Sequence, residues 1–197
     1  MESRLEAREN GITTLQKAVA ETRINCGNAG EKLTTFDKVE YITGEVTAGG
    51  KIDLFEAISE SISRIGINSF DGRRYNTLSN AVIDAVTVEV ATTTSATATA
   101  AELIFDDAMD VAIVNSNIIF SADGKQLFDL PIREVHNPNT TRLNDEKYRG
   151  IGHLPIIEAE KNLKCEIDFP TGVTPDTTGG KRHFLKVSLR VTKTMTR

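Results

Sequence analysis

The sequence predicts a mainly β protein, an antiparallel sandwich preceded by a helix, and three observations carry that prediction. Within Leu163–Phe169 the apolar Leu163, Cys165, Ile167 and Phe169 alternate with Lys164, Glu166 and Asp168. Within Leu185–Met195, Leu185, Val187, Leu189, Val191 and Met195 fall on one side, and Lys186, Ser188, Arg190, Thr192 and Thr194 on the other. Between two further apolar runs stands Asp123-Gly124, a favoured hairpin turn. Strand side chains point alternately to opposite faces, so this alternation implies sheets with one buried and one wet face.

In chain order, residues 1–24 read as an amphipathic helix on Leu5, Ile12, Leu15 and Val19, with Gly11 as a possible break. Residues 1–30 are thus expected to form a helical arm, and 31–197 one β-sandwich domain. The loop from Asn25 to Lys38 follows. Its Gly27–Lys32 fragment lacks the glycine spacing and the hydroxyl of a phosphate-cradling loop. Val39–Val46 is a strand. Asp53 then caps a short helix through Leu54, Phe55, Ile58, Ile62 and Ile65, which stops at Gly66. The Arg73-Arg74 pair reads as a solvated turn.

Ala81–Val90 is a β-branched strand. Thr92–Ala101, TTTSATATAA, has no bulky residue to anchor it and is expected as an exposed loop, or one ordered by a neighbouring molecule. Val111–Phe120 and Gln126–Ile132 form the hairpin about Asp123-Gly124, with Pro131 ending the second strand or placing it at an edge. His136–His153 is a long polar loop. Leu154–Glu160 and Leu163–Phe169 are expected as another hairpin, before the long last strand. That makes about eight strands, which suits two four-stranded sheets.

Size and charge narrow the function. A domain of 197 residues can bury roughly 70% of its unfolded surface without a disulfide or metal. A net charge of −5 argues against whole-molecule attraction to nucleic acid. The charged N-terminus reads as no signal peptide, and no apolar run of about 20 residues spans a membrane. A soluble protein made in a cytoplasm is expected, with Cys26 and Cys165 as free thiols and a disulfide between them left open.

The chain carries no G-x-S-x-G, H-E-x-x-H, C-x-x-C or dinucleotide fingerprint. Asp106, Asp107 and Asp110 are weak metal candidates. They lack the glycine and glutamate of a calcium loop, so a capped polar turn is the better reading. His136, His153 and His183 are scattered in or beside loops. No cofactor and no catalytic residue is expected.

Three pieces together resemble the jelly-roll capsid proteins of tailless icosahedral bacterial viruses: the hairpin Ile118–Ile132, the run Leu154–Pro170 with its Leu-Pro-Ile-Ile start, and the closing strand Phe184–Met195. The resemblance implies an eight-stranded jelly roll and a structural role. Major coat proteins of that lineage commonly carry two rolls, and 197 residues hold one, so a vertex (penton) or minor coat protein is the implied place. Its partners would be copies of itself, in a pentamer or other cyclic ring, and neighbouring coat proteins. It would reside in the virion and be made in the host cytoplasm. Sequence-specific nucleic-acid binding is not expected, and membrane contact through the N-terminal helix is not favoured.

Assembly contacts are expected at Leu5, Ile12, Leu15, Val19, Arg142, Tyr148, Lys186 and Arg190, within the arm, the long loops and the basic end. From Lys181 onward there are six Lys or Arg and no acidic residue. The rival reading is a carbohydrate- or ligand-binding sandwich using Tyr75, Tyr148 or the acidic cluster. A cupin-like metal enzyme is a more distant third.

Overall fold

The computed structural model describes residues 4–20, 34–56, 66–70, 73–75, 79–136 and 147–194. The chain forms the helix α1 (Arg4–Ala20), the strands β1 (Thr35–Glu45), β2 (Lys51–Asp53) and β3 (Ala81–Thr93), and the helical turn α2 (Val111–Val114). There follow β4 (Asn117–Ala122), β5 (Lys125–Pro131), the turn α3 (Ile132–Val135), β6 (Arg149–Gly150), β7 (Ile156–Ile157), β8 (Leu163–Asp168) and β9 (Arg182–Thr194). The nine strands among the described residues form two antiparallel sheets. One has the order β1-β9-β3-β6, with β7 also paired to β3, and the other has the order β2-β8-β4-β5. The chain changes sheet at every connection between strands except β4 to β5 and β6 to β7.

A single apolar core joins the two sheets, with Ile83, Val86, Val88, Leu185, Val187 and Leu189 from one and Ile118, Phe120, Cys165 and Ile167 from the other. Phe120 and Phe128 stack across the β4–β5 pair at 5.5 Å between ring centres. Each such fully buried side chain is worth about 1.5–3 kcal/mol relative to exposure. Burial also pushes the Cys165 thiol well above its ordinary value, so it behaves as a small hydrophobe; Cys26 lies outside the described residues.

The alternation in β8 predicts its burial faithfully: Leu163, Cys165, Ile167 and the following Phe169 are buried, and Lys164 is exposed. The Asp123-Gly124 turn has positive φ at both residues, 46° and 76°, the mirror-image turn that suits strand twist. Pro131 ends β5, which is an edge strand. Among the described residues β2 and β6 fall where a turn into a helix and a long loop are expected, and two further departures in strand placement have a plain cause. Residues 111–114 form a helical turn, because Asp110 Oδ1 accepts from the Ala112 N–H at 2.7 Å and caps it; the strand begins only at Asn117. Leu154–Glu160 is not half of a hairpin with β8: only Ile156–Ile157 is strand, and it pairs with β3 in the other sheet.

The second face of β9 is not wet. Ser188, Thr192 and Thr194 are buried and Lys186 and Arg190 half-buried, because α1 and the loops cover that side. Its core face also holds Lys193, 4% exposed, alongside the aliphatic run. The predicted helix after Asp53 falls mostly on residues 57–65, outside the described residues. Asp53 Oδ1 does accept the Phe55 N–H at 3.0 Å, as a cap would.

Helix α1 runs unbroken through Gly11. Its buried stripe is Ala7, Gly11, Leu15 and Ala18, with Leu5 turned outward and Ile12 and Val19 half-buried. Leu15 and Ala18 pack on Val82 of β3, flanked by Val19, Leu154 and Ile156. Gly11 permits this approach, since a Cβ there would lie 3.0 Å from Thr192 Oγ1.

Candidate functional site

At one end of the sandwich, the segments following β3, preceding α2 and preceding β9 surround a cleft of about 360 Å³. Thr92, Asp107, Met109, Asp110, Asp176, Lys181 and His183 line it. Two of the three acidic candidates therefore face one space; Asp106 is exposed and is not part of the lining. Their carboxylates act as clamps on backbone. Asp107 Oδ2 accepts the Thr92 N–H at 2.5 Å, and Asp110 Oδ2 accepts the Asp176 N–H at 3.3 Å. Asp176 in turn accepts from the Thr178 N–H at 2.9 Å and from Lys181 Nζ at 2.9 Å. Those bonds from Thr178 and the Lys181 ammonium hold the Asp176 carboxyl far below the usual carboxylate range. Among the described residues no group of three His, Cys, Asp or Glu side chains is placed to hold a metal ion.

The histidines are fixed by main chain. His136 Nδ1 lies 3.0 Å from the Val88 carbonyl oxygen, His153 Nε2 2.6 Å from that of Leu127, and His183 Nε2 2.8 Å from that of Asp176. Each ring ties a loop to the body of the fold. His183 is 4% exposed and its Nδ1 sits 3.3 Å from Thr92 Oγ1, so both nitrogens are occupied. The three rings do not converge on one point; each bonds a different stretch of backbone.

The Ala/Thr-rich loop after β3 is anchored from beneath. Arg182 Nη1 donates to the carbonyls of Ser95, Ala96 and Ala98 at 3.1–3.2 Å. Sequence reasoning missed this, because the anchor lies more than 80 residues away along the chain.

Several expected assembly residues are engaged within the chain. Leu15 is fully buried. Lys186 Nζ lies between the Tyr41 and Phe105 rings, 5.2 and 5.7 Å from their centres. Arg190 Nε donates to Asp84 Oδ2 at 2.7 Å, and its guanidinium lies 5.7 Å from the Tyr148 ring centre. Arg142 lies outside the described residues. Leu5, 71% exposed, is the one expected contact among the described residues that faces fully outward. Phe36 and Val39 on β1, Ile104, Val111 and Val173 are exposed apolar side chains that the pattern did not single out. Scanning for apolar residues inside polar loops would have found Ile104 and Val173.

No protein-family model matches the chain, and no curated protein matches it. Its functional reading rests on the fold and on these surfaces. Among the described residues no helix is long and apolar enough to cross a membrane.

Proposed function

We propose that the chain is a single jelly-roll capsid protein of a tailless icosahedral bacterial virus, at a vertex or minor coat position. The observation that carries this reading is the strand order. With β6 and β7 taken together as one edge of the first sheet, the orders 1-9-3-6/7 and 2-8-4-5 support the reading of a ribbon rolled on itself, since each sheet takes strands from both ends of the chain. Such rolls host more than one function. The structural role is favoured by the bonded state of the cleft's acids and of His183, and by the outward apolar side chains Leu5, Phe36, Val39, Ile104 and Val111. Association would take place in the virion, with copies of the chain closing a ring and neighbouring coat proteins surrounding it. No catalytic step is part of the proposal.

Size-exclusion chromatography with light scattering, followed by negative-stain microscopy, tests it on the full chain. A closed cyclic oligomer is expected. A protein that stays monomeric at high concentration, and that no coat protein from its native particle recruits, overturns the proposal.

The cleft favours one alternative, a ligand-binding sandwich, since about 360 Å³ lies within the range of small-molecule sites. Tyr75 offers no platform for a sugar, being 1% exposed, and Tyr148 is half-buried against Arg190. A glycan array with wild type and Asp110→Ala separates the two readings. Binding lost in the variant would favour the ligand, and no binding the capsid role.

A further inference from the structure

Between β8 and β9 the chain leaves the sandwich as a strap, residues 171–180, and brings Asp176 to the wall of the cleft. Both ends of the strap are fixed. Phe169 is buried and its N–H donates to the Gly50 carbonyl at 2.9 Å, while Arg182 is gripped by Glu45. Within the strap only Pro175 is buried. Glycines at positive φ stand near each end, Gly172 at 77° and the pair Gly179 and Gly180 at 71° and 77°. The strap's own hydrogen bonds are short-range. The N–H groups of Val173, Thr178 and Gly180 donate to the Pro170 carbonyl, the Asp176 carboxylate and the Thr177 carbonyl. Among the described residues, its hydrogen bonds to the body of the fold meet at Asp176. That N–H donates to Asp110 Oδ2 at 3.3 Å, and that carbonyl accepts from His183 Nε2 at 2.8 Å. Beside this latch, Val173 and Thr174 lie on Gly49. A Cβ at Gly49 would stand 2.5 Å from the Val173 carbonyl oxygen and 2.9 Å from Thr174 Cγ2.

We propose that residues 171–180 open and close as one unit while both sheets stay intact, latched by Asp110 and His183 and hinged at the glycines. The latch is firm on the body side. Asp110 Oδ1 is held by the Ala112 N–H at 2.7 Å, and His183 lies in β9, 4% exposed. The strap itself has little to hold it. One buried side chain and two bonds to the body put it at the low-stability end of the fold, where local opening needs no global unfolding. Glycine meets no steric penalty at positive φ and crosses freely to other backbone conformations. The turns at Gly172 and at the Gly179-Gly180 pair are therefore where the chain bends at least cost. The short-range bonds do not survive alone, because each orders several residues for one hydrogen bond. Opening releases all of them together, which makes the strap a cooperative unit and not a set of fraying ends. It also takes Asp176 away from Met109, Asp110 and His183, so the cleft exists only with the strap shut. The inference is independent of the capsid reading, and its failure leaves that reading untouched.

Hydrogen exchange on the full wild-type chain, followed amide by amide across low urea concentrations, tests the proposal. The amides of Val173, Asp176, Thr178 and Gly180 are expected to exchange at rates that urea leaves unchanged, about a hundredfold or more faster than Val187 and Leu189. A urea dependence equal to that of those β9 amides would mean that the strap opens only with the sandwich, and overturns the proposal. Gly49→Ala pushes on the strap from outside the cleft. It is expected to speed all four amides severalfold by a common factor, with Val187 and Leu189 unchanged. Asp110→Ala, which removes half of the latch, is expected to do the same. Four amides that respond separately in these variants, or not at all, show no cooperative unit and overturn the proposal. Should both variants fail to fold, the urea series on wild type decides.

Discussion

Arg182 grips Glu45 with a two-pronged bond, Nε to Oε1 at 2.9 Å and Nη2 to Oε2 at 2.6 Å, across the β1–β9 pair. The pairing fixes the plane of the guanidinium, and so aims Nη1 at the Ser95, Ala96 and Ala98 carbonyls. One rigid fork therefore holds a sheet and a loop in register. Arg182→Lys keeps the charge but has no planar fork with which to reach both. Limited proteolysis and hydrogen exchange are expected to show residues 94–99 opened severalfold in Arg182→Lys. A loop unchanged in that variant would sink the assignment.

This loop shows where sequence reading stops. Alternation within β8 needs no knowledge of neighbours, and Leu163, Cys165, Ile167 and Phe169 lie where the pattern puts them. The Asp123-Gly124 turn is local in the same sense. Whether a polar residue is wet depends instead on what covers it, and Ser188 and Thr192 are covered from other parts of the chain. The helix stripe differs in part from its apolar pattern for a related reason: Leu15 is buried as expected, but Leu5 is not. Small residues dock closely but carry little hydrophobic signal, so Ala7, Gly11 and Ala18 are buried although the periodicity points to Leu5. The β-branched Val111, Ile113 and Val114 favour a strand by composition, and the cap at Asp110 overrides them. Among the cleft residues, Asp107 and Asp110 were visible as a cluster, whereas Asp176 and Lys181 join them only through the fold.

Gly11 gives the second prediction, in which two effects oppose. Replacing a helical glycine by a residue with a side chain ordinarily gains about 0.5–1 kcal/mol, from a less flexible unfolded chain. Here the new Cβ would stand 3.0 Å from Thr192 Oγ1 and 3.2 Å from its Cβ. Overpacking of that kind costs about 1–3 kcal/mol, so Gly11→Val is expected to be net destabilising. Urea unfolding should show the lower midpoint, and hydrogen exchange should place the loss in α1. A midpoint above wild type would mean that the helix does not rest on Thr192.

The pH dependence of stability contains two opposed contributions. Asp176 has a folded value below its ordinary 3.8, so its stabilisation is complete above that pH and is lost as pH falls through the folded value. Asp84 is the reverse. Burial raises its carboxyl above 3.8 against the pull of Arg190, so the folded state binds that proton more tightly. Its contribution is full below 3.8 and disappears as pH rises through the raised value. Asp176→Asn should therefore flatten the acid limb of a urea-midpoint profile, and Asp84→Asn should steepen it. Profiles parallel to wild type in both variants would contradict these assignments.

The final prediction concerns a charge pair inside the core. Lys193 Nζ bonds Glu40 Oε1 at 2.9 Å, with the side chains 5% and 2% exposed, and lies 4.8 Å from the Tyr75 ring centre. Glu40 has further partners. Its Oε2 accepts from Ser69 Oγ at 2.7 Å and lies 3.0 Å from Lys38 Nζ. Removing one member of a buried pair typically costs about 3–5 kcal/mol, because a desolvated charge is left behind. The two deletions should differ here. Glu40→Leu leaves a buried ammonium with the Tyr75 ring, and is expected to reach that range. Lys193→Met leaves a carboxylate still held by Ser69 and Lys38, and should cost clearly less. The double variant should be more stable than Glu40→Leu alone, since it buries no unmatched charge. A double-mutant cycle in urea measures all three. Equal single costs that simply add would show that the pair is not coupled, and that Lys193 is buried for its aliphatic stem alone.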